Sequence, residues 1–290
     1  MELSGHVVVS VPTRNCTEYL YQAVGSVLSQ TYEDLEVIVV SDGDDDGPWE
    51  ALASIGDPRL KRARLASSRG PYFIHDIVLR SATDAQWLLI QDADDWSEEC
   101  RVANLLTELM RRPLVGVTSG QFYEGLYQSY ATTFCAPLRP DWYFDRARHH
   151  GLYSREGLLA AGGYFGGTAY AFDSFIVNSL YVCNALGYID VPLYHRRRRA
   201  GSLSRSKATG VGSPARADYI ERLVHAWREL LAHAESLSCG ESLLPAVAQL
   251  VDSLVTPSQR AERDRAVSQL REGMAAGLRP SDVVEIGLEQ

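Results

Sequence analysis

The stretch QWLLIQDADDWSEE, Gln86 to Glu99, decides the fold. Trp87 to Ile90 is a short apolar run of the kind buried in a parallel sheet, and it stops at three carboxylates, Asp92, Asp94 and Asp95. In open α/β sheets ligands lie just beyond the carboxyl ends of the strands, so this end is where a cation and its phosphate ligand are expected. Asp92 and Asp94 supply the carboxylate oxygens that Mg²⁺ and Mn²⁺ combine with phosphate oxygens and water. The bland alternative is a solvated turn before a helix, with Ser97 as N-cap and Glu98 and Glu99 favoured by the helix dipole.

The flanking sequence repeats the theme. Val7 to Val11 is a β-branched run closed by Pro12, Thr13, Arg14 and Asn15, and Leu20, Val24, Val27 and Leu28 then recur at helical spacing. Leu35 to Val40 reads as a second buried strand ending in Ser41-Asp42-Gly43 and Asp44 to Asp46. Asp42 and Asp94 are therefore expected to close neighbouring parallel strands. A weaker strand at Leu60 to Leu65 leads to the loop Ser67-Ser68-Arg69-Gly70-Pro71 and a helix from about Tyr72 to Thr83. Strands alternating with helices predict a mostly parallel, doubly wound α/β sheet flanked by helices. No glycine separates the first strand from the first helix, which excludes a dinucleotide fingerprint and a phosphate-cradling P-loop.

Beyond residue 120 the signal weakens. Phe122, Tyr123, Tyr127, Tyr130, Trp142, Tyr143 and Phe144 are scattered through irregular sequence, where packing is the commoner role, although sugar rings also stack on such side chains. Gly162 to Gly167 carries too many glycines to be helical, and Phe172, Phe175, Ile176 and Leu180 then share a helix face opened by Asp173. Asp173 reads equally well as a first-turn acid that favours the helix dipole. Arg196 to Arg199 is a solvated face in the ordinary case; opposite acidic strand ends, Arg197 and Arg199 can clamp a diphosphate with planar forks. Gly201 to Ser213 reads as a loop able to close over a ligand. From Pro214 to the end, 214–290, the pattern is of amphipathic helices, one announced by Thr256-Pro257, that pack on the sheet or pair two copies of the chain as a homodimer.

Composition narrows the function. With 46% hydrophobic residues in 290, a full core is available, and a net charge of −9 argues against general nucleic-acid binding. Five widely spaced cysteines without paired metal-ligand spacing favour a reducing compartment. The absence of a basic leader and of a ~20-residue apolar run leads to the expectation of a cytoplasmic protein with no membrane span.

In this order the motifs resemble family-2 glycosyltransferases of the GT-A fold, over about residues 7 to 204, which implies one domain over 1–213 with a nucleotide-sugar-binding half over 1–120 and an acceptor-binding half over 121–213. VVVSVPTRN is similar to the family's first strand and base-binding loop, which implies donor contacts from Pro12, Thr13 and Arg14. VIVVSDGDDD resembles the second strand with its nucleotide-contacting acid, here Asp42, and Arg69 is assigned to the same donor site. QDADDW resembles the acidic motif, implying donor contacts from Asp92 and Ala93 and metal ligation by Asp94 and Asp92. GGYFGG followed by AFDSF resembles the stretch that ends in the catalytic carboxylate, here Asp173, although Phe172 stands where the family has Glu. LYHRRRRAGSLS resembles the closing segment, with Arg199 where a metal-site histidine is common and His195 offset from it. The resemblance implies Mn²⁺- or Mg²⁺-dependent, inverting transfer from a nucleotide sugar, a UDP-sugar first, to a hydroxyl on a saccharide, natural product or carrier-linked glycan. The rivals are a nucleotidyltransferase and a non-catalytic nucleotide-sugar-binding subunit.

Overall fold

The computed structural model describes residues 3–43, 48–140, 146–199, 202–203, 205–238, 241–277, 279 and 281–288. Asp44 to Asp46, Trp142 to Phe144, Gly201, Ser204 and Cys239 lie outside them. In chain order the elements are β1 Val7–Thr13, α1 Thr17–Leu28, β2 Leu35–Asp42, β3 Leu60–Leu65, α2 Pro71–Ser81, β4 Trp87–Ile90, β5 Trp96–Ser97 and α3 Arg101–Arg111. There follow β6 Gly116–Tyr123, β7 Leu126–Gln128, α4 Ala131–Phe134, β8 Gly151–Ser154, α5 Arg155–Ala160, α6 Phe172–Val182 and β9 Leu186–Arg196. The chain ends with α7 Pro214–Ser236, α8 Leu244–Leu254, α9 Pro257–Ala275 and β10 Val283–Ile286.

The strands form one sheet in the order β10-β3-β2-β1-β4-β8-β6-β9-β5, with β7 paired to β6. From β1 the chain winds outward through β2 and β3, then returns to place β4 on the other side of β1, parallel to it. The crevice between the ends of β1 and β4 is thus a topological switch point, where open sheets bind ligands. One expectation fails here. Asp42 and Asp94 follow strands separated by β1, not neighbours, because sequence order does not fix lateral order.

Alternation along the strands feeds two apolar layers. Val7, Val9 and Val11 of β1 pack with Val37, Val39 and Leu89 against α1 and α3. Val8, Ile38, Val40 and Ile90 face the opposite layer, in which α2, α6, α7, α8 and α9 share one continuous core. The C-terminal extension therefore packs on the sheet. It is not helical throughout, since β10 adds a parallel edge strand beside β3.

Thr256 caps α9 as expected, in a full capping box with Gln259, and Pro257 takes the first helical position. Thr256→Ala is expected to cost about 1 kcal/mol, read as a lower urea midpoint at unchanged slope. Ser97, by contrast, is no cap: it lies in β5, and α3 begins at Arg101 after Cys100 without a side-chain cap. His195 and Arg196 complete β9, which runs beside β6 with register shifts at Ser119 to Gln121. No helix among the described residues is long and apolar enough to cross a membrane.

Candidate active site

Three groups of side chains meet at the carboxyl ends of β1, β2 and β4. The first surrounds Asp42, 4% exposed. Its carboxylate accepts from the backbone N–H of Arg69 at 2.6 Å and of Gly70 at 3.0 Å, and from Ser68 Oγ at 2.8 Å. Gly70 has φ +87°, and a Cβ there would run into Ala169, so the turn that aims its amide at Asp42 requires glycine. Arg14 donates to Ser68 Oγ, which joins the loop after β1 to the same turn. The Arg69 side chain turns away to Glu262 of α9, 2.6 Å from its Nε. Arg14, Asp42 and Arg69 are thus brought together, with Asp42 fixing the 68–70 loop and the extension holding Arg69. Pro12 and Thr13 close β1 beside Val40 and Ser41.

The second group is the acidic turn. Gln91 holds it from inside, its amide donating to the carbonyls of Asp92 at 3.0 Å and Asp95 at 3.1 Å. Oxygens of Asp92, Asp94 and Asp95 lie within 4.8 Å of one another, while Ala93 is buried between them in sequence. Each carboxylate also has a protein donor: His150 Nε2 for Asp92 at 2.9 Å, Arg199 Nε for Asp94, and the Arg197 N–H for Asp95 at 2.8 Å. The Arg197 side chain donates to Asp94 O at 3.0 Å and lies over the rings of Trp96 and Tyr19, at 4.5 and 4.9 Å. Arg199 also donates to Asn15 O at 3.2 Å, so the closing segment bridges both loops. Burial and then the Asp92 charge raise the pKa of Asp94, against the pull of Arg199. Burial, Asp92 and Asp94 raise Asp95 further. Crowded acids of this kind are relieved by a cation, and hard oxygen donors suit Mg²⁺ or Mn²⁺. The residues therefore fit the expected metal, with Arg199 already sharing Asp94.

The third group contains Asp173. Ala171, in the left-handed region at φ +64°, turns the chain into α6 and puts Asp173 in its first turn. The side chain is not spent on capping; its Oδ1 accepts from Tyr72 OH at 2.7 Å. Tyr72 is buried among the rings of His149, Tyr164 and Phe172, and its hydroxyl is pushed well above its ordinary pKa by burial, then by Asp173, with Asp92 adding to it. Asp173 and the acidic turn thus act on one buried hydroxyl.

His195 is engaged elsewhere: its Nε2 lies 2.6 Å from Glu98, and its ring stacks between Trp96 and Phe122. The histidine that touches the acidic turn is His150, which the motifs did not single out, and neither Tyr72 nor Glu262 had a signal of its own. The thiols of Cys16, Cys100, Cys135 and Cys183 are free. Cys16 lies beside the site, and burial pushes its pKa to about 12, so it stays a thiol.

Residues 8–174, more than half of the chain, match the model of glycosyl transferase family 2, and the chain belongs to that family. A UDP-Glc:α-D-GlcNAc-diphosphoundecaprenol β-1,3-glucosyltransferase, WfaP of Escherichia coli, is 26% identical over 98 residues, 34% of this chain and 39% of that protein's length. The glycosyltransferase GlyG of Streptococcus pneumoniae is 23% identical over 228 residues, 71% of this chain and 75% of its own. Among solved structures, S. aureus TarS residues 1–349 in complex with UDP-GlcNAc superposes with a TM-score of 0.63 at 17% identity, covering 94% of this chain and 92% of that one. A mannosyltransferase of Pyrobaculum calidifontis, in complex with GDP-Man and Mn²⁺, gives a TM-score of 0.52 at 20% identity, over 96% and 77% of the two chains. The fold is therefore the GT-A fold expected from the motifs.

Proposed function

We propose that this glycosyltransferase moves a hexosyl or N-acetylhexosaminyl group from a UDP-sugar to a hydroxyl acceptor, with inversion at the anomeric carbon and with Mn²⁺ or Mg²⁺ at Asp92 and Asp94. The observation that carries the reading is the convergence of three carboxylates and two arginines at the sheet's switch point. The bound cation would supply charge stabilisation to the leaving diphosphate. Arg197 and Arg199 add fixed positive charge on the same side, where negative charge builds up as the glycosidic bond breaks. Pro12, Thr13, Arg14 and the loop that Asp42 holds would form the nucleoside wall. Asp173 would take the proton of the acceptor hydroxyl through its second oxygen as the new bond to the anomeric carbon forms. Tyr72, bonded to the first oxygen, keeps the carboxylate aimed. The extension over 214–290 supports this site through Glu262 and Arg69.

Product analysis tests the reaction class. Incubation with a UDP-sugar and Mn²⁺ should release UDP, whereas pyrophosphate would mean nucleotidyl transfer. No release over hours, with binding intact, would favour a nucleotide-sugar-binding subunit.

The arginines give a separate prediction. Arg199→Ala should weaken UDP binding by about 1.5–3 kcal/mol, the worth of a hydrogen bond to a charged group, and uridine binding far less. Arg197→Ala should follow it. Calorimetric titration of both ligands checks this, and equal losses would put the guanidinium groups away from the diphosphate.

A further inference from the structure

On the reading that this site binds a nucleoside diphosphate with a divalent cation, we infer that His150 is a positioning residue, which holds the Asp92 carboxylate in the orientation that the donor site uses. The observation is a column of side chains from distant parts of the chain that grips Asp92 from behind. His150 is 4% exposed, and its Nε2 lies 2.9 Å from Asp92 Oδ2. Its ring lies on that of Tyr194 in β9, centroids 4.3 Å apart and planes 15° from parallel. The Tyr194 hydroxyl oxygen accepts the backbone N–H of Asp92 at 3.0 Å. The guanidinium of Arg101 lies 4.5 Å from the Tyr194 centroid and donates to Ile90 O at 2.9 Å and Gln91 Oε1 at 3.0 Å, on the two residues before Asp92. Backbone and side chain of Asp92 are thus fixed by one cluster, separate from the arginines of the closing segment.

The choice of an imidazole has a physical reason. Among the described residues His150 Nδ1 is buried without a partner, so the single proton of the neutral ring belongs on Nε2, facing the carboxylate. A neutral donor orients Asp92 and leaves it its charge, whereas Arg199 brings a full positive charge to Asp94. The Asp92 side chain stays 32% exposed, able to meet a ligand.

The test is calorimetric titration of UDP in the presence of Mn²⁺ on full-length variants. His150→Phe keeps a flat ring on Tyr194 and removes the N–H; His150→Gln puts an amide N–H near the place of Nε2; His150→Asn puts it near Nδ1. His150→Phe and His150→Asn should each weaken binding about tenfold, equivalent to about 1.4 kcal/mol, and His150→Gln should recover most of the loss. In an Asp92→Ala background, His150→Phe should change affinity by less than about twofold, because both substitutions act on one interaction. Unchanged binding in His150→Phe, equal binding by the Gln and Asn variants, or a full tenfold loss without Asp92 would each overturn the inference. If His150→Phe does not fold, the Gln and Asn pair decides alone. Failure of the parent protein to bind UDP with Mn²⁺ would instead overturn the donor-site reading itself, and the inference with it.

Discussion

Asp94→Ala is expected to remove the metal-dependent part of UDP binding and to leave the metal-free part. In the parent protein UDP should raise the melting temperature, and Mn²⁺ should raise it further, since a ligand at about 100 times its dissociation constant adds ~2.7 kcal/mol to stability. Asp94 is the carboxylate at which the closing segment would meet the cation, because Arg199 is bonded to its Oδ2. Loss of a partner one shell out typically costs about 10–100-fold in metal affinity, so loss of a ligand should cost at least that. The fold should survive: Arg199 is partly exposed and also bonded to Asn15 O, so water can take over its charge. Mn²⁺ titrations followed by melting, with and without UDP, separate the terms. Equal stabilisation by UDP with and without Mn²⁺ in the parent protein would sink the metal-bridged donor site, and the Asp94→Ala comparison would lose its meaning. A variant that keeps the metal increment would move the cation to Asp92 and Asp95.

The elements that build the crevice were legible because each is buried on both faces and ends in polar residues. Val7 to Val11, Leu35 to Val40 and Trp87 to Ile90 read as strands from composition alone, and their acidic or polar ends marked the candidate site. Lateral order was not legible, since nothing in the acidic ends tells that β1 lies between β2 and β4. The strand Val283–Ile286 is four residues long and follows a polar helix, too short for its period to separate it from the helical pattern upstream. The bland alternative at Ser97 fails for a local reason: an N-cap residue followed by two glutamates has the signature of a helix start, but the backbone there pairs with β9, and Glu98 is drawn to His195.

His150 and Glu262, which the motifs did not single out, share another cause. His150 lies in a basic, aperiodic run and meets Asp92 across 58 residues of sequence; Arg69 meets Glu262 across 193. A contact of that kind has no periodicity or spacing to betray it, because it depends on how the sheet is closed and how α9 is laid on α2. Asp42 closes β2 as the sequence suggests, but its carboxylate is occupied by the 68–70 loop, so any effect on a nucleoside would pass through the shape of that loop.

Asp173→Asn is expected to bind UDP-sugar like the parent protein, to melt close to it, and to lose about 10²–10⁴-fold in transfer rate, the usual contribution of a positioned base. The two readings of this residue make opposite demands. As a helix-terminal acid, its loss of charge costs about 0.3–1 kcal/mol through the dipole and leaves chemistry alone. For a chain of this size that is a shift of a few degrees in melting temperature, since ~1 kcal/mol moves the midpoint of a 150–250-residue domain by about 2–4 °C. As a base, its neutral amide cannot take up the acceptor's proton at neutral pH. The geometry favours the second reading, because Oδ1 is bonded to the buried Tyr72 hydroxyl and the residue is not the cap of α6. Asparagine keeps an oxygen able to accept that bond, so the orientation survives the substitution and only proton transfer is removed. Single-turnover transfer to the true acceptor, beside melting curves and donor titration, distinguishes the outcomes. Retention of more than about a tenth of the parent rate would lie well short of a base's contribution and would take Asp173 out of the chemistry. A large fall in melting temperature with the rate per folded molecule unchanged would return it to a purely structural place at the start of α6.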